Sequence, residues 1–139
     1  MASAESSGFD NIVQRLRSMI EAQPQALKAA GVALLTQAQQ SIINGGNGWP
    51  AWSPNYKPKR MHQILWDTGT LLRSLAIGDG NNVFREEGNS VTVGSNVVYA
   101  ARQNFGGGGI PARPFLYVDD DRLRVCTQAY LAQLQRAVR

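Results

Sequence analysis

The chain has 139 residues, of which 43% are hydrophobic and 17% charged, and its formal net charge is +4. This length favours a single domain over residues 1–139, with a core large enough to fold without disulfides. The single cysteine excludes an internal disulfide, and residues 1–8 lack both the basic and the apolar region of a signal peptide. We therefore expect a soluble, intracellular protein whose residues 1–8 are flexible.

Basic residues dominate one part of the sequence. No acidic residue lies between Glu21 and Asp67. Such a span is typical either of a patch that faces nucleic acid or an acidic partner, or of a solvated loop with a few lysines. Its basic residues are Lys28, Lys57, Lys59 and Arg60.

Two helices are predicted at the N-terminus. Apolar residues recur at helical spacing from Phe9 to Ile20, which predicts an amphipathic helix over residues 9–21. Pro24 is compatible with the first turn of a new helix, and the alanine- and glutamine-rich sequence that follows extends it to residue 43. The glycine-rich stretch after residue 43 ends this second helix.

A long loop is predicted over residues 44–59, because its three prolines exclude a regular element. Its aromatic side chains have three possible roles: they cover the domain's own core, they await a partner, or they stack on the bases of single-stranded nucleic acid. The aromatic residues are Trp49, Trp52 and Tyr56, and they are followed by Lys57 and Lys59.

The middle of the chain favours short helices followed by a small antiparallel sheet. Residues 60–66 are expected to form one or two helical turns, and Asp67-Thr68-Gly69 to cap a helix over residues 70–74. Asp79-Gly80-Asn81 and the residues around Gly88 are turn signals. The strands predicted around them are residues 76–78, 82–85 and 90–94, with a candidate fourth strand at 115–118.

Residues 99–116 combine a short predicted helix, Tyr99 to Phe105, with four glycines and two prolines. The glycines impose no steric preference, whereas the prolines favour extended geometry. We therefore expect a loop over residues 106–114 that becomes ordered when a partner binds.

The last predicted helix begins at Asp119-Asp120-Asp121, where negative charge complements the helix dipole. Together these elements predict an α+β fold in which two N-terminal helices and a C-terminal helix pack on a small, mainly antiparallel sheet with long loops. The apolar stripe of the last helix is predicted to comprise Leu123, Cys126, Thr127, Tyr130, Leu131, Leu134 and Val138.

Catalytic chemistry is not indicated. His62 is the one histidine and is expected at the surface, and Cys126 is expected to be an inert thiol on a helix face. The aspartate run is explained by helix capping, and both glycine runs follow helices, which is the wrong context for a phosphate loop. We therefore predict no enzymatic activity, no metal and no cofactor; an enzyme with a dispersed site is the alternative.

Four motifs follow one another in the second half of the chain. They are Trp52-Ser53-Pro54, the run Ile64 to Leu75, the run Val93 to Ala101, and Ile110 to Leu116, which Phe105-Gly106 precedes. In this order they resemble the motifs of the phage virion morphogenesis family, the tail completion proteins of tailed phages. Gln103 and Asn104 stand where that family has histidine and glutamine, so no role tied to the imidazole is expected.

The resemblance implies a structural protein of the virion neck, assembled in the host cytoplasm. It implies a ring of six copies between the head connector and the tail tube, with genomic DNA passing through its centre. The implied partners are further copies of the chain, portal-side neck proteins, the tail terminator or tail tube, and DNA, with no membrane. The alternative is a small basic nucleic-acid-binding module that uses the loop from Trp49 to Arg60.

Two segments are predicted to contact neighbours: the loop from Trp49 to Lys59, which we call the aromatic loop, and the segment from Gly106 to Arg113, which we call the glycine segment. Arg113 is expected to pair with a carboxylate, either of a partner or of its own subunit. Tyr99, Phe105 and Phe115 are expected to anchor the ends of the glycine loop on the domain itself. The predicted interface residues are Trp49, Trp52, Tyr56, Lys57, Lys59, Arg60, Arg102, Gly106, Gly107, Gly108, Gly109 and Arg113. The motif residues with predicted structural roles are Asp67, Thr68, Gly69, Leu71, Ser74, Tyr99, Phe105, Pro111, Pro114 and Phe115.

Overall fold

The computed structural model describes residues 3–46, 48–58 and 61–138. It contains helices and one two-stranded antiparallel sheet, which confirms the predicted α+β class. The elements in chain order are α1 (Ser3–Ile43), α2 (Thr70–Ser74), β1 (Asn82–Glu87), β2 (Ser90–Ser95), α3 (Ala100–Phe105) and α4 (Asp120–Ala137).

Helix α1 is one continuous helix of 41 residues, so the prediction of two N-terminal helices was wrong. Pro24 lies inside it, where the lost backbone hydrogen bond and the clash of its ring cost about 3 kcal/mol, and good helix formers on both sides continue the helix. The helix ends as predicted, because Gly45 and Gly46 adopt φ of +78° and donate their amides to the carbonyls of Ile42 and Ser41.

The sheet has two strands instead of the predicted three or four. Gly88-Asn89 forms the hairpin turn, and Glu87 pairs with Ser90 beside it. Asp79 to Asn81 instead lies in a turn leading from α2 into β1, in which the Asn82 amide donates to the Asp79 carbonyl at 3.0 Å. Residues 115–118 are not a strand, because side chains rather than a neighbouring strand take up the backbone groups of Phe115 and Leu116. The helical turns predicted for residues 60–66 are also absent from the described residues 61–66.

The core lies where the second half of α1 meets α2, the start of α3 and the segment before α4. Phe115 is only 2% exposed at its centre. The buried apolar side chains of this cluster are Leu35, Ala38, Ile42, Leu71, Leu75, Val97, Ala100 and Phe115, and Trp49 and Phe84 pack against it from the edges.

Helix α4 runs antiparallel to the second half of α1. Arg122 contacts Ser41, and one turn later the Cys126 thiol lies 3.9 Å from the Gln37 side chain. Extending this pairing brings the end of α4 beside Ala26, which is fully buried. The first half of α1 therefore projects beyond the end of α4.

The cap predicted for α4 is confirmed, because the Asp119 carboxylate accepts the Arg122 amide at 2.8 Å. The predicted apolar stripe lies partly on the side that meets α1: Cys126, Tyr130, Leu134 and Val138 are half-buried, whereas Leu123 is 53% and Leu131 48% exposed. The buried residue of α4 is instead Arg122. Within the described ranges, none of the helices has the length and apolarity needed to cross a bilayer.

Candidate functional site

A cavity of about 680 Å³ opens between three walls, and we call it the groove. The first wall is formed by Trp52 and Tyr56 of the aromatic loop and by His62, which follows that loop. The second wall is the turn from Ile64 to Leu71. The third wall is formed by Tyr99, Gln103 and the segment from Gly109 to Arg113. Residues about sixty positions apart in the sequence thus line one surface.

The first wall is an aromatic cluster. The Trp52 ring lies 5.4 Å from that of Tyr56 and 5.0 Å, edge to face, from that of His62, measured between ring centroids. His62 Nδ1 lies 2.7 Å from the Gln63 carbonyl, which only accepts, so Nδ1 carries the proton and donates. Trp52 therefore packs on side chains of its own chain while one side of the cluster lines the groove.

The second wall is a preset turn. The Thr68 and Thr70 hydroxyls are 2.8 Å apart, and the Arg73 guanidinium donates to the Thr68 carbonyl at 3.1 Å. Leu65 has a φ of +64°, which is costly for a residue with a Cβ atom. The turn thus holds the wall in one shape before any partner is bound.

The third wall carries an unpaired acceptor. The side-chain oxygen Oε1 of Gln103 is buried and has no hydrogen-bond partner among the described residues. The Gln103 backbone carbonyl accepts the Arg113 amide at 2.8 Å, so the backbone of Gln103 is held against the glycine segment. A buried acceptor without a donor is unfavourable, and a ligand or partner that supplied an N–H or O–H would relieve that cost.

Arg113 joins the third wall to the aromatic loop. Its guanidinium donates from Nε to the Pro50 carbonyl and from Nη2 to the Ala51 carbonyl, both at 2.9 Å, and the residue is 6% exposed. The predicted carboxylate partner is therefore replaced by backbone carbonyls of its own chain. Trp49 Nε1 donates in return to the Pro114 carbonyl at 3.0 Å. These bonds tie the start of the aromatic loop to the segment that precedes the core.

The glycine segment is a folded turn. Gly107 and Ile110 exchange backbone hydrogen bonds of 2.9 and 3.0 Å. Gly106 has a φ of +77°, and a Cβ there would lie 2.8 Å from the Ala112 nitrogen, so no other residue fits without displacement. Phe105 is 77% and Tyr99 46% exposed, so neither is buried in the domain as an anchor of this loop would be, whereas Phe115 is 2% exposed and lies in the core.

Two buried residues were missed by sequence reasoning, Asn104 and Arg122. The Asn104 side chain bonds the backbone of Phe115 and Leu116. Arg122 donates to the Phe115 carbonyl at 2.8 Å, contacts the Ser41 hydroxyl, and lies 3.7 Å from the centre of the Tyr117 ring. No local pattern marks either residue, because their partners are backbone groups brought near only by the fold.

The predicted interface residues are divided among several places. Lys57 is exposed, Trp49 packs against the core, and Lys59 and Arg60 lie outside the described residues. Ser74 is a structural residue as predicted, since its hydroxyl lies 2.7 Å from that of Ser95 on the hairpin. The groove brings together Trp52, Tyr56, Asp67, Thr68, Gly69, Leu71, Tyr99, Gly109, Pro111 and Arg113. A second, shallower hollow is lined by Arg102, Gly106, Gly107 and Gly108 with Val98, Ala101 and Phe105.

Cys126 is a partly buried titratable group on α4. Burial raises the pKa of the Cys126 thiol above its ordinary value, and the charge of Arg122 offsets this only in part. In the described part of the chain, no three His, Cys, Asp or Glu side chains are grouped so that they would hold a metal ion.

Comparison with known proteins identifies the family of the chain. The family model described as phage virion morphogenesis family matches residues 4–135, nearly the whole chain. No curated protein and no solved structure matches the chain. The match includes α1 as well as the four motifs that line or support the groove. The chain is a member of the phage virion morphogenesis family and hence a protein of phage virion assembly.

Proposed function

We propose that this protein completes the phage tail and joins it to the head as a ring of six copies in the virion neck. In this proposal genomic DNA passes through the centre of the ring, and the neighbours are portal-side neck proteins on one side and the tail terminator or tail tube on the other. The observation that carries the proposal is the convergence of family motifs on one preset groove, lined by Trp52, Thr68 and Pro111 among others.

The groove suits a segment of a neighbouring protein chain. Its walls are mainly apolar and aromatic, and many of its polar groups already bond within the chain. Gln103 Oε1 remains as an acceptor for one donor. An extended segment that inserts an apolar side chain and offers one N–H would satisfy both features. A ring needs such a contact between unlike surfaces of adjacent subunits, which repeats around a closed circle.

We further propose that the role is structural and not catalytic. His62 lies in the groove, but its Nδ1 proton is held by a backbone carbonyl and not by an orienting carboxylate. The net charge of +4 favours a protein that lies close to DNA. If DNA binding were instead the main function, the isolated protein would bind DNA with an affinity that falls steeply with salt.

A joining assay tests this proposal. Heads and tails from phage lacking the protein are mixed with purified wild-type or variant protein, and joined particles are counted by electron microscopy and by plaque formation. Ser53→Trp places a large ring in the groove, whereas Thr92→Trp places the same ring on the exposed face of β2 as a control.

We expect wild type and Thr92→Trp to restore joining. We expect Ser53→Trp to fold but to reduce the number of joined particles at least about tenfold, which corresponds to a loss of roughly 1.4 kcal/mol in binding free energy. Equal joining by both variants would reject the groove as the assembly surface. Normal particles formed without any added protein would reject the joining function itself.

A further inference from the structure

The first half of α1 is an amphipathic helix whose apolar side chains are exposed in the described chain. We call residues 7–22 the arm; at 1.5 Å per residue it is about 24 Å long. Phe9 is 67%, Ile12 57%, Leu16 54% and Ile20 69% exposed. Side chains three and four residues apart share one face of a helix, so these four form a continuous exposed stripe.

This stripe continues an interface that already exists within the chain. Ser41 and Gln37 contact α4, and counting back from them in alternate steps of three and four residues leads along one face of α1 to the arm. This stripe turns by about 20° per heptad on a straight helix; it packs on α4 at one end of α1 and is uncovered at the other, where α4 has ended. The positions reached in the arm are Ile20, Leu16, Val13 and Phe9.

The arm is complementary to itself when a second copy runs antiparallel. In the register that places Val13 opposite Leu16 of the second copy, Phe9 lies opposite Ile20 of that copy. These two pairs of residues, together with the two pairs that the two-fold symmetry generates, form the core layers of a two-helix contact. Apolar residues thus meet apolar residues in every core layer of this register.

The flanking positions agree with the same register. On one side Ile12 lies beside Met19 of the second copy, which extends the apolar contact. On the other side Asp10 lies beside Arg17 of the second copy, an opposite-charge pair that the two-fold symmetry makes twice. The charge pattern thus favours the antiparallel arrangement independently of the apolar stripe.

We propose that the arm binds the arm of a second copy of this chain in this antiparallel register and holds the free protein as a dimer. The arm contributes no residue to the groove, so the two surfaces act separately. A two-fold contact stops at two copies and cannot build a ring, so arm pairing is a different interaction from the ring contact proposed above. Its short length predicts a reversible dimer that forms as concentration rises.

The first test measures the mass of the full chain by light scattering over a concentration series. Leu16→Asp puts a charge into the core layer, and Gln14→Asp puts the same charge on the opposite, exposed face of the same helix. We expect pairing in wild type and Gln14→Asp, and at least about a hundredfold weaker pairing in Leu16→Asp, because a buried unpaired charge is costly. Circular dichroism checks that both variants keep the helix.

A second test examines the register through charge. In a dimer of Asp10→Arg alone, or of Arg17→Asp alone, residues 10 and 17 of the two copies carry like charges at both flanking pairs. In an equimolar mixture, a dimer of one variant with the other has opposite charges at both pairs. We expect each variant alone to pair about tenfold more weakly at low salt, and the mixture to recover wild-type pairing. Failure of the mixture to recover would overturn the antiparallel register.

The remaining outcomes are also decisive. Wild-type protein that is monomeric at all concentrations would overturn the proposal, as would Leu16→Asp pairing as well as Gln14→Asp. If the arm bound another neck protein and copies of this chain did not pair, the proposal would be overturned. The arm would then be a binding surface for that protein. Loss of head–tail joining with pairing intact would count against the proposed function and not against the arm.

Discussion

The side chain of Asn104 takes the place of a neighbouring strand for Phe115. Its Oδ1 accepts the amides of Phe115 and Leu116, both at 2.9 Å, and its Nδ2 donates to the Leu116 carbonyl at 3.0 Å. Phe115 is at the centre of the core, and Asn104 is in α3, one residue after Gln103. The core thereby fixes the helix that presents the unpaired acceptor of the groove.

We predict that Asn104→Leu lowers the free energy of unfolding by about 2–4 kcal/mol, because it leaves two buried amides and one carbonyl without partners. Asn104→Asp keeps both acceptor contacts but places a buried carboxylate oxygen against the Leu116 carbonyl, so it should also lower the free energy of unfolding. Urea denaturation measures both values. If Asn104→Leu were as stable as wild type, the side chain would not be what holds residues 115–116 in place.

Arg113→Lys tests the connection between the third wall and the aromatic loop. A lysine cannot bond the Pro50 and Ala51 carbonyls as a fork, so we expect a loss of about 2 kcal/mol in stability. Chymotrypsin should also cleave after Tyr56, which is 49% exposed, faster than in wild type. The control is Arg102→Lys at an exposed position, for which neither quantity should change; equal effects of the two substitutions would contradict the fork.

The conformation of Gly106 can be tested against that of Gly109. Both have positive φ, +77° and +82°, but only at Gly106 would a Cβ meet backbone atoms within 4 Å. We expect Gly106→Ala to cost about 2–4 kcal/mol and Gly109→Ala about 1 kcal/mol, the strain of positive φ alone. Thermal unfolding of the two variants gives this difference, and equal costs would mean that the close approach to Ala112 is relieved by a small shift.

Local signals in the sequence predicted a good part of the fold. The aspartates before α4, the turn before α2 and the alternation from Ser90 to Gly94 act through neighbouring residues, so each element was identified. Pro24 misled because its local cost of about 3 kcal/mol is offset by the good helix formers on both sides of it in a 41-residue helix. The lesson is that a proline marks a helix boundary only when the surrounding residues also favour one.

Long-range contacts account for what the sequence did not predict. Residues 115–118 read as a strand, but their backbone partners are the side chains of Asn104 and Arg122. Arg113 was expected to meet a carboxylate, and its true partners are two carbonyls more than sixty residues earlier. The motifs identified the wall residues of the groove, whereas their convergence on one cavity depends on these contacts.

The Cys126 thiol should react slowly with disulfide reagents at neutral pH. Burial raises its pKa, so at any given pH it holds less of the reactive thiolate than a free cysteine, and its rate should keep rising with pH beyond the point where a free cysteine levels off. Stopped-flow measurement of thiol labelling gives the profile, with the urea-unfolded chain as the control. A plateau at the same pH for folded and unfolded chains would show that the thiol is not shielded.

The central claim is that copies of this chain form a ring in the neck, with each groove holding a segment of a neighbour. Cryo-electron microscopy of the neck of intact virions tests it most directly. The account predicts a six-fold ring of this chain between head and tail, with protein density in the groove and a donor beside Gln103 Oε1. A ring whose grooves face solvent, or virions in which the chain is absent from the neck, would contradict it.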